Sequence, residues 1–340
     1  MGFMGGTSRG WLQFRRNRRG LISLIILALL FGLSLAAELI SNDSPYYVRY
    51  EGRSYFPIVK DYPETTFGGD FPTPCDFGDP YIRAKISEGN NFAIFPPNPH
   101  SYKSINYQLQ EPVPSPPSTE NLLGTDDRGR DVLARLIYGF RISLLFGLAL
   151  TATGTVLGIM AGALQGYFGG KTDLIGQRFI EIWSAMPELY LLIIMASIFR
   201  PSIWLLLILL SLFGWMGLSD YVRAEFLKGR NLNYVQAARA MGVGNVTIMA
   251  RHLLPNSLTP VITFLPFRMS GAIIALTSLD FLGLGVPPPS PSLGELLRQG
   301  KANIDAWWLS LTTFTVLVAT LVLLIFVGEA LREAFDPRKG

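Results

Sequence analysis

The sequence predicts an all-α polytopic membrane protein with six transmembrane helices. Three observations carry that expectation. Hydrophobic residues make up 49% of the chain and charged residues only 16%, well under the ~25% charged share of ordinary soluble domains. Several uncharged runs are long enough to cross a hydrocarbon core of about 30 Å. Basic residues are also spread unevenly, as in chains that sort their loops to the two sides of a membrane.

In chain order, the first run covers residues 21–37 and extends to Ile40 with only Glu38 interrupting it. Arg15, Arg16, Arg18 and Arg19 stand directly before it, and no acid occurs among the first twenty residues. This places the N-terminus in the cytoplasm. A secretory leader also joins a basic start to an apolar core, but the long core and the absence of a small-residue cleavage site at "AAELISND" favour a retained anchor. Residues 1–40 therefore read as a basic cytoplasmic N-terminus and the first transmembrane helix.

Residues 41–133 are polar and rich in Pro, Tyr, Gly and Asp. They read as a periplasmic insert, and residues 41–135 hold nine Lys/Arg against thirteen Asp/Glu. The stretch is longer than a connector needs, and a small ordered cap and a long tether both remain open. "FPPNPH" and "EPVPSPPS" fit a stiff spacer better than a ligand for polyproline-binding modules.

Residues 134–330 read as the main membrane core, with further spans expected at 136–162, 175–199, 203–222, 258–284 and 307–327. The third and fifth spans carry charges and prolines: Arg178, Glu181, Pro187 and Glu188 in one, Pro260, Pro266, Arg268 and Asp280 in the other. A charge at bilayer depth costs roughly 2.5 to 3.5 kcal/mol on insertion scales, so such helices face a bundle interior or a wet cavity. Trp204, Trp307 and Trp308 lie at predicted span starts, as interface anchors do. Four crossings from a cytoplasmic N-terminus return the chain to the cytoplasm at residues 223–256, where Arg223, Lys228, Arg230, Arg239 and Arg251 cluster. Residues 331–340 form a cytoplasmic tail, so both termini are expected inside the inner (plasma) membrane. "DRGRDVLARLIYGFR" resists this topology, since Arg128, Arg130, Arg135 and Arg141 fall on the outer side with only Asp126, Asp127 and Asp131 to offset them.

The cytoplasmic loop contains "YVQAARAMGVGNVTIMARHLLPNS", residues 234–257. Tyr234, Ala237, Ala238 and Met241 fall at i, i+3, i+4 and i+7, the stripe of an amphipathic helix whose small central residues admit a close partner. Gly242 suits the left-handed residue that ends a helix, Asn245 an N-cap, and Pro255 a stop at Leu254. Two short helices are expected. A hairpin resting on lipid headgroups would look similar from these features alone.

"QAARAMGVGNVTIMARHLLP" resembles the EAA loop of ABC importer permeases, matching at Ala237, Ala238, Gly242, Leu254 and Pro255; Gln236 stands where that family has glutamate and His252 where it has isoleucine. "LGTDDRGRDVLARLIYGFRISLLFGL", "QGYFGGKTDLIGQRFIEIWSAMP" and "LDFLGLGVPPPSPSLGELLRQGK" are similar to the corresponding blocks of oligopeptide and dipeptide importer permeases. The large outer insert after the first span resembles the second permease subunit of microcin C and peptide importers. This MetI-like resemblance implies a subunit that pairs with a homologous permease to enclose a pathway for peptides or peptide-like compounds. It implies a periplasmic substrate-binding protein, and two ABC ATPase subunits or one fused double ATPase docking on Gln236, Ala237, Ala238, Gly242, His252, Leu254 and Pro255. The chain itself then needs no cofactor, ATP and Mg being bound by the ATPase partners. Arg141, Glu188 and Asp280 are the expected pathway charges.

Other chemistries have thinner support. Cys75 is the single cysteine, which excludes an internal disulfide, and two distant histidines show no metal-ligand spacing. "QGYFGGKT" approaches a phosphate loop but has Gln165 where the first glycine belongs and follows a membrane helix. The net charge of +4 reflects topology and gives no sign of nucleic-acid binding; lipid is the surrounding partner. An ion-coupled secondary transporter using intramembrane carboxylates is the alternative, though the broken-helix repeat expected of one is not found.

Overall fold

The computed structural model describes residues 10–107, 109 and 111–335. The first nine residues of the N-terminal segment and residues 336–340 of the tail lie outside the described residues. Helix α1 (Arg18–Leu35) is followed by the single turn α2 (Ala37–Ile40). The insert holds strands β1 (Tyr47–Tyr50) and β2 (Arg53–Tyr55), helix α3 (Pro80–Ile86) and strand β3 (Phe92–Ile94). Then come α4 (Val132–Phe168), α5 (Gly170–Ser184), α6 (Glu188–Ile198), α7 (Ile203–Gly214), α8 (Met216–Gly229) and α9 (Asn233–Ala240). The chain continues with α10 (Asn245–Phe281), α11 (Leu293–Ala302) and α12 (Trp307–Ala334).

Among the described residues five helices are long and apolar enough to cross a membrane, or six if one bent pair counts as a span. The bent pair is the expected third span. Here α5 and α6 meet at 68°, because Pro187 cannot donate the amide hydrogen that would continue the helix and instead stands as the extended residue before α6. Conversely α4 is longer than expected: its 37 residues reach about 55 Å, more than a hydrocarbon core requires. The fifth span begins at Asn245, not near residue 258, because Pro255 does not stop a helix. A π turn at Ile248–Leu253 precedes it, and this widened turn takes in a ring that would otherwise press on the carbonyl one turn back.

The chain divides into two compact units. One contains Leu29–Ser143 and Thr277–Val318. In it, the insert is an ordered body and no tether. Its sheet is antiparallel with order β2-β1-β3, and Val48, Tyr50, Phe67, Phe77, Ile82 and Ile86 form its core. Burying six such side chains at 1.5–3 kcal/mol each gives this small body its own driving force. Asp131 ties it to the start of α4, accepting from Asn98 Nδ2 and Asn121 Nδ2, each at 2.9 Å. Three of the four arginines that resisted the topology, Arg130, Arg135 and Arg141, have carboxylate partners in this unit. Arg130 Nη2 lies 2.6 Å from Asp126 Oδ2 and 3.3 Å from Glu295 Oε1, while fully buried Arg135 meets Glu295 Oε2 at 2.5 Å and Asp126 Oδ2 at 3.4 Å. Two cations and two carboxylates thus close a neutral cluster. Trp308 is no interface anchor: it is buried and its Nε1 donates to the Thr125 carbonyl at 3.1 Å. Trp204 and Trp307 are exposed.

The other unit takes in the stretch through Ala28, Leu144–Leu276 and the stretch from Ala319. Gly158, Gly162 and Gly166 form a stripe on α4 against which α8 lies backbone to backbone. A Cβ at 158 would come within 2.9 Å of the Trp215 carbonyl oxygen, and one at 166 within 2.5 Å of that of Arg223. Such stripes let helices approach where lipid supplies no hydrophobic drive. The ends of α4 and α8 join the loop at 223–256 in one core of Tyr167, Val222, Phe226, Val235, Ala238 and Ile248.

Candidate functional site

The loop is built by a helix that ends in a closed cap. α9 buries Val235 and Ala238, three residues apart, in the core beneath it. Tyr234, Ala237 and Met241 stay exposed. The expected four-residue stripe is therefore split: its Ala238 turns inward with Val235, and the outer ridge keeps the other three. Two capping hydrogen bonds follow, Gly242 N to the Arg239 carbonyl at 3.0 Å and Val243 N to the Ala238 carbonyl at 3.1 Å. This is the Schellman arrangement, which requires a left-handed residue, and Gly242 sits at φ 79°. A Cβ added there would meet nothing within 4 Å, so the demand for glycine is one of backbone conformation and leaves the surface above it open.

Asn245 is not the N-cap; Gly244 is. Asn245 Oδ1 instead accepts from the Tyr167 hydroxyl at 2.7 Å, and Arg239 lies over the Tyr167 ring at 5.2 Å. Gln236 is exposed and its Nε2 donates to the Asn231 carbonyl at 3.2 Å, within the loop. The His252 carbonyl accepts from the Tyr234 hydroxyl at 3.4 Å, a contact that joins the outer ridge to α10. Leu254 and Pro255 are half-buried along α10, while Leu253 fills the core. Arg223 and Asp173 form a two-pronged ion pair that holds α5 against α8 beside this loop. "QGYFGGKT" spans the turn between α4 and α5, with Gly169 and Gly170 at φ 61° and 53°, and the helix α4 leads directly into it.

The three expected pathway charges have different surroundings. Arg141 is engaged with both carboxylate oxygens of Glu38 at 2.9 Å and lies over the Tyr138 ring, which gives the acid in the first apolar run its partner. Asp280 is buried, accepting from Val286 N at 2.8 Å and from the Ser292 hydroxyl. It clamps the turn after α10, where a Cβ on Gly285 or Gly294 would collide with Asp280 itself. Glu188, at the bend between α5 and α6, borders a cavity of about 520 Å³.

Sequence reading did not place Arg268 in a site, yet it lines the same cavity from α10 and donates from Nη2 to the Gly214 carbonyl at 2.8 Å. Its charge inside a span was the available signal. Glu295, the second carboxylate of the buried cluster, lies outside every expected span, and no pattern marked it.

A family model described as "Binding-protein-dependent transport system inner membrane component" matches residues 154–340, more than half of the chain. One for the "N-terminal TM domain of oligopeptide transport permease C" matches residues 7–57. Among curated relatives, an "Inner membrane ABC transporter permease protein YejE" of Escherichia coli (strain K12) is 54% identical over 97% of this chain and 96% of its own. A "Peptidoglycan transport system permease protein YejE" of Agrobacterium fabrum is 50% identical over 98% and 93%. An "Oligopeptide transport system permease protein OppC" of Haemophilus influenzae is 35% identical over 71% and 77%. Among solved structures, an inward-facing MetNI methionine ABC transporter shares the fold at a TM-score of 0.50 and 18% identity, covering 59% of this chain and 96% of that one.

Proposed function

This chain belongs to the binding-protein-dependent transport permeases of the inner membrane, and from that membership we propose that it is a pathway-forming subunit of an ATP-driven importer of peptides or peptide-like compounds. The names of relatives, which include peptidoglycan and oligopeptide transport, support that cargo class; a microcin C-like peptide is the finer proposal. A homologous permease completes the pathway and a periplasmic binding protein delivers cargo. Two ABC ATPase subunits, or one fused double ATPase, bind ATP and Mg and dock on the loop at 223–256. The N-terminus, this loop and the tail face the cytoplasm, and the 41–133 insert faces the periplasm.

The observation that carries the reading is the loop's construction. α9 is locked inward by Val235 and Ala238 and ended by the Gly242 cap, while Tyr234, Ala237 and Met241 form an exposed ridge. A rigid body with an apolar outer face is what a motor subunit needs in order to push by packing, and docking must differ between two states to do work. An ion-coupled carrier is less well supported: Asp280 is spent on a turn.

Purification in mild detergent tests this directly. The expected result is a complex containing an ATPase and a second permease that hydrolyses ATP; a stable homo-oligomer with proton-dependent flux would overturn it. Labelling that placed Ala240 on the exterior side would do the same.

A further inference from the structure

The cavity beside Glu188 holds two charges of opposite sign that the fold leaves uncompensated. Glu188 and Arg268 both line it, and among the described residues neither has an opposite charge within ion-pair distance. Each lies in a membrane-crossing segment, where an unpaired charge costs several kcal/mol unless the surroundings are wet. Arg135 and Glu295 show that this chain can pair charges tightly where stability is the need. Two further polar atoms go unused: Arg268 Nε and Thr151 Oγ1 are buried with no hydrogen-bond partner among the described residues, and Thr151 also lines the cavity.

The arginine is nevertheless held in place. Gly214 accepts from its Nη2, and the missing side chain at Gly154 leaves room for the guanidinium, since a Cβ there would lie 2.6 Å from Nη2. Gly271, Ala272 and Ala275 keep the α10 wall low. The result is a positioned donor group and a carboxylate around about 520 Å³, a volume in the usual range for small-molecule sites.

We propose that this cavity is a passage subsite for zwitterionic cargo, a carboxylate docking on Arg268 and the Thr151 hydroxyl, and an ammonium group on Glu188. Guanidinium and hydroxyl both donate to a carboxylate, and charge-assisted hydrogen bonds are the strong ones. The inference rests on the import reading above and adds which cargo groups the pathway recognises.

The test uses the complete transporter, with its partner permease, ATPases and binding protein, in proteoliposomes. Uptake of trialanine is compared with that of its C-terminal amide and its N-acetyl form. Because one binding protein serves every assay, its own preference cancels when variant and wild-type ratios are compared. Arg268→Gln should lower the acid-to-amide ratio about tenfold and leave the amine-to-acetyl ratio in place; Glu188→Gln should do the converse. Arg268→Lys should recover part of the acid preference. Gly154→Ala, which alters no charge but crowds the guanidinium, should also lower the acid-to-amide ratio and serves if Arg268→Gln does not assemble. Ratios unchanged across these variants overturn the subsite while import stands. A wild-type complex that moves none of the three peptides and whose ATP hydrolysis does not respond to the binding protein overturns the import reading itself.

Discussion

The cluster of Asp126, Arg130, Arg135 and Glu295 and the cavity of Glu188 and Arg268 handle the same problem, charge in an apolar protein, in opposite ways. In the cluster every charge has a partner within 3.4 Å and almost no exposed surface. In the cavity the charges stand apart around open space. The first arrangement holds a fold together at the cost of being inert. The second contributes little to folding and keeps its charges available to something that passes.

The sharpest way to break this comparison is Arg135→Ala. It leaves Arg130 as the one cation for two buried carboxylates, Asp126 and Glu295, and breaking one side of a buried pair costs about 3–5 kcal/mol. Thermal unfolding of the detergent-purified complex should show a large loss, and the double change Arg135→Met with Glu295→Met a smaller one. An equal loss in both would mean that packing, not charge, is what Arg135 supplies.

The second test asks whether the insert is the folded body described. Its Cys75 thiol is pushed up to about 12, by burial first and then by Glu64, Asp76 and Asp79. The reactive species is the thiolate, so maleimide labelling at pH 8 should run on the order of a thousandfold slower than in a denatured chain with an ordinary thiol near 8.5. In the folded protein the rate should keep climbing with pH beyond 10, where the denatured chain has levelled off. A plateau near pH 9 in the native complex would contradict the burial.

Third, Gly242→Asp should leave membrane insertion intact and uncouple ATP hydrolysis from uptake. Asp strains this left-handed backbone by less than the about 1–2 kcal/mol of most side chains, but it puts a charge on the open surface above the cap and leaves the core beneath untouched. Normal uptake by this variant would count against the loop as the docking element.

The smallest expected effect is the most telling for the comparison. Glu188→Gln removes a charge that none of the described residues compensates, so thermal stability should change by no more than about 0.5 kcal/mol, even as cargo preference shifts. A loss like that of Arg135→Ala would place Glu188 among the structural charges.

The spans and the loop were legible because their signals are local. Hydropathy needs only neighbours in sequence, and Gly242 followed by a polar helix start is a short-range pattern. Misreadings arose where a distant partner decides. Asn245 looks like a cap, but the Tyr167 hydroxyl claims its side chain. Pro255 looks like a terminator, but the π turn before it accommodates the ring. Ala238 belongs to an apparent outer stripe, yet the core containing Phe226 and Ile248 draws it inward. Asp280 and Arg141 qualified as pathway charges on composition, and only their three-dimensional partners, Ser292 and Glu38, show what they hold. Arg268 was visible as a charge in a span; its neighbourhood with Glu188, eighty residues away in sequence, was not.

The π turn that precedes Pro255 has a mechanical corollary. Since the helix continues from Asn245 past Arg268, with Pro260 and Pro266 inside it, those two residues sit at opposite ends of a helical path of about 34 Å. A pivot of about 10° at the loop end would swing the guanidinium through roughly 6 Å over that length, wider than the reach of any hydrogen bond. One short tilt could thus set down a grip on passing freight and lift it off again, with no hinge needed in between.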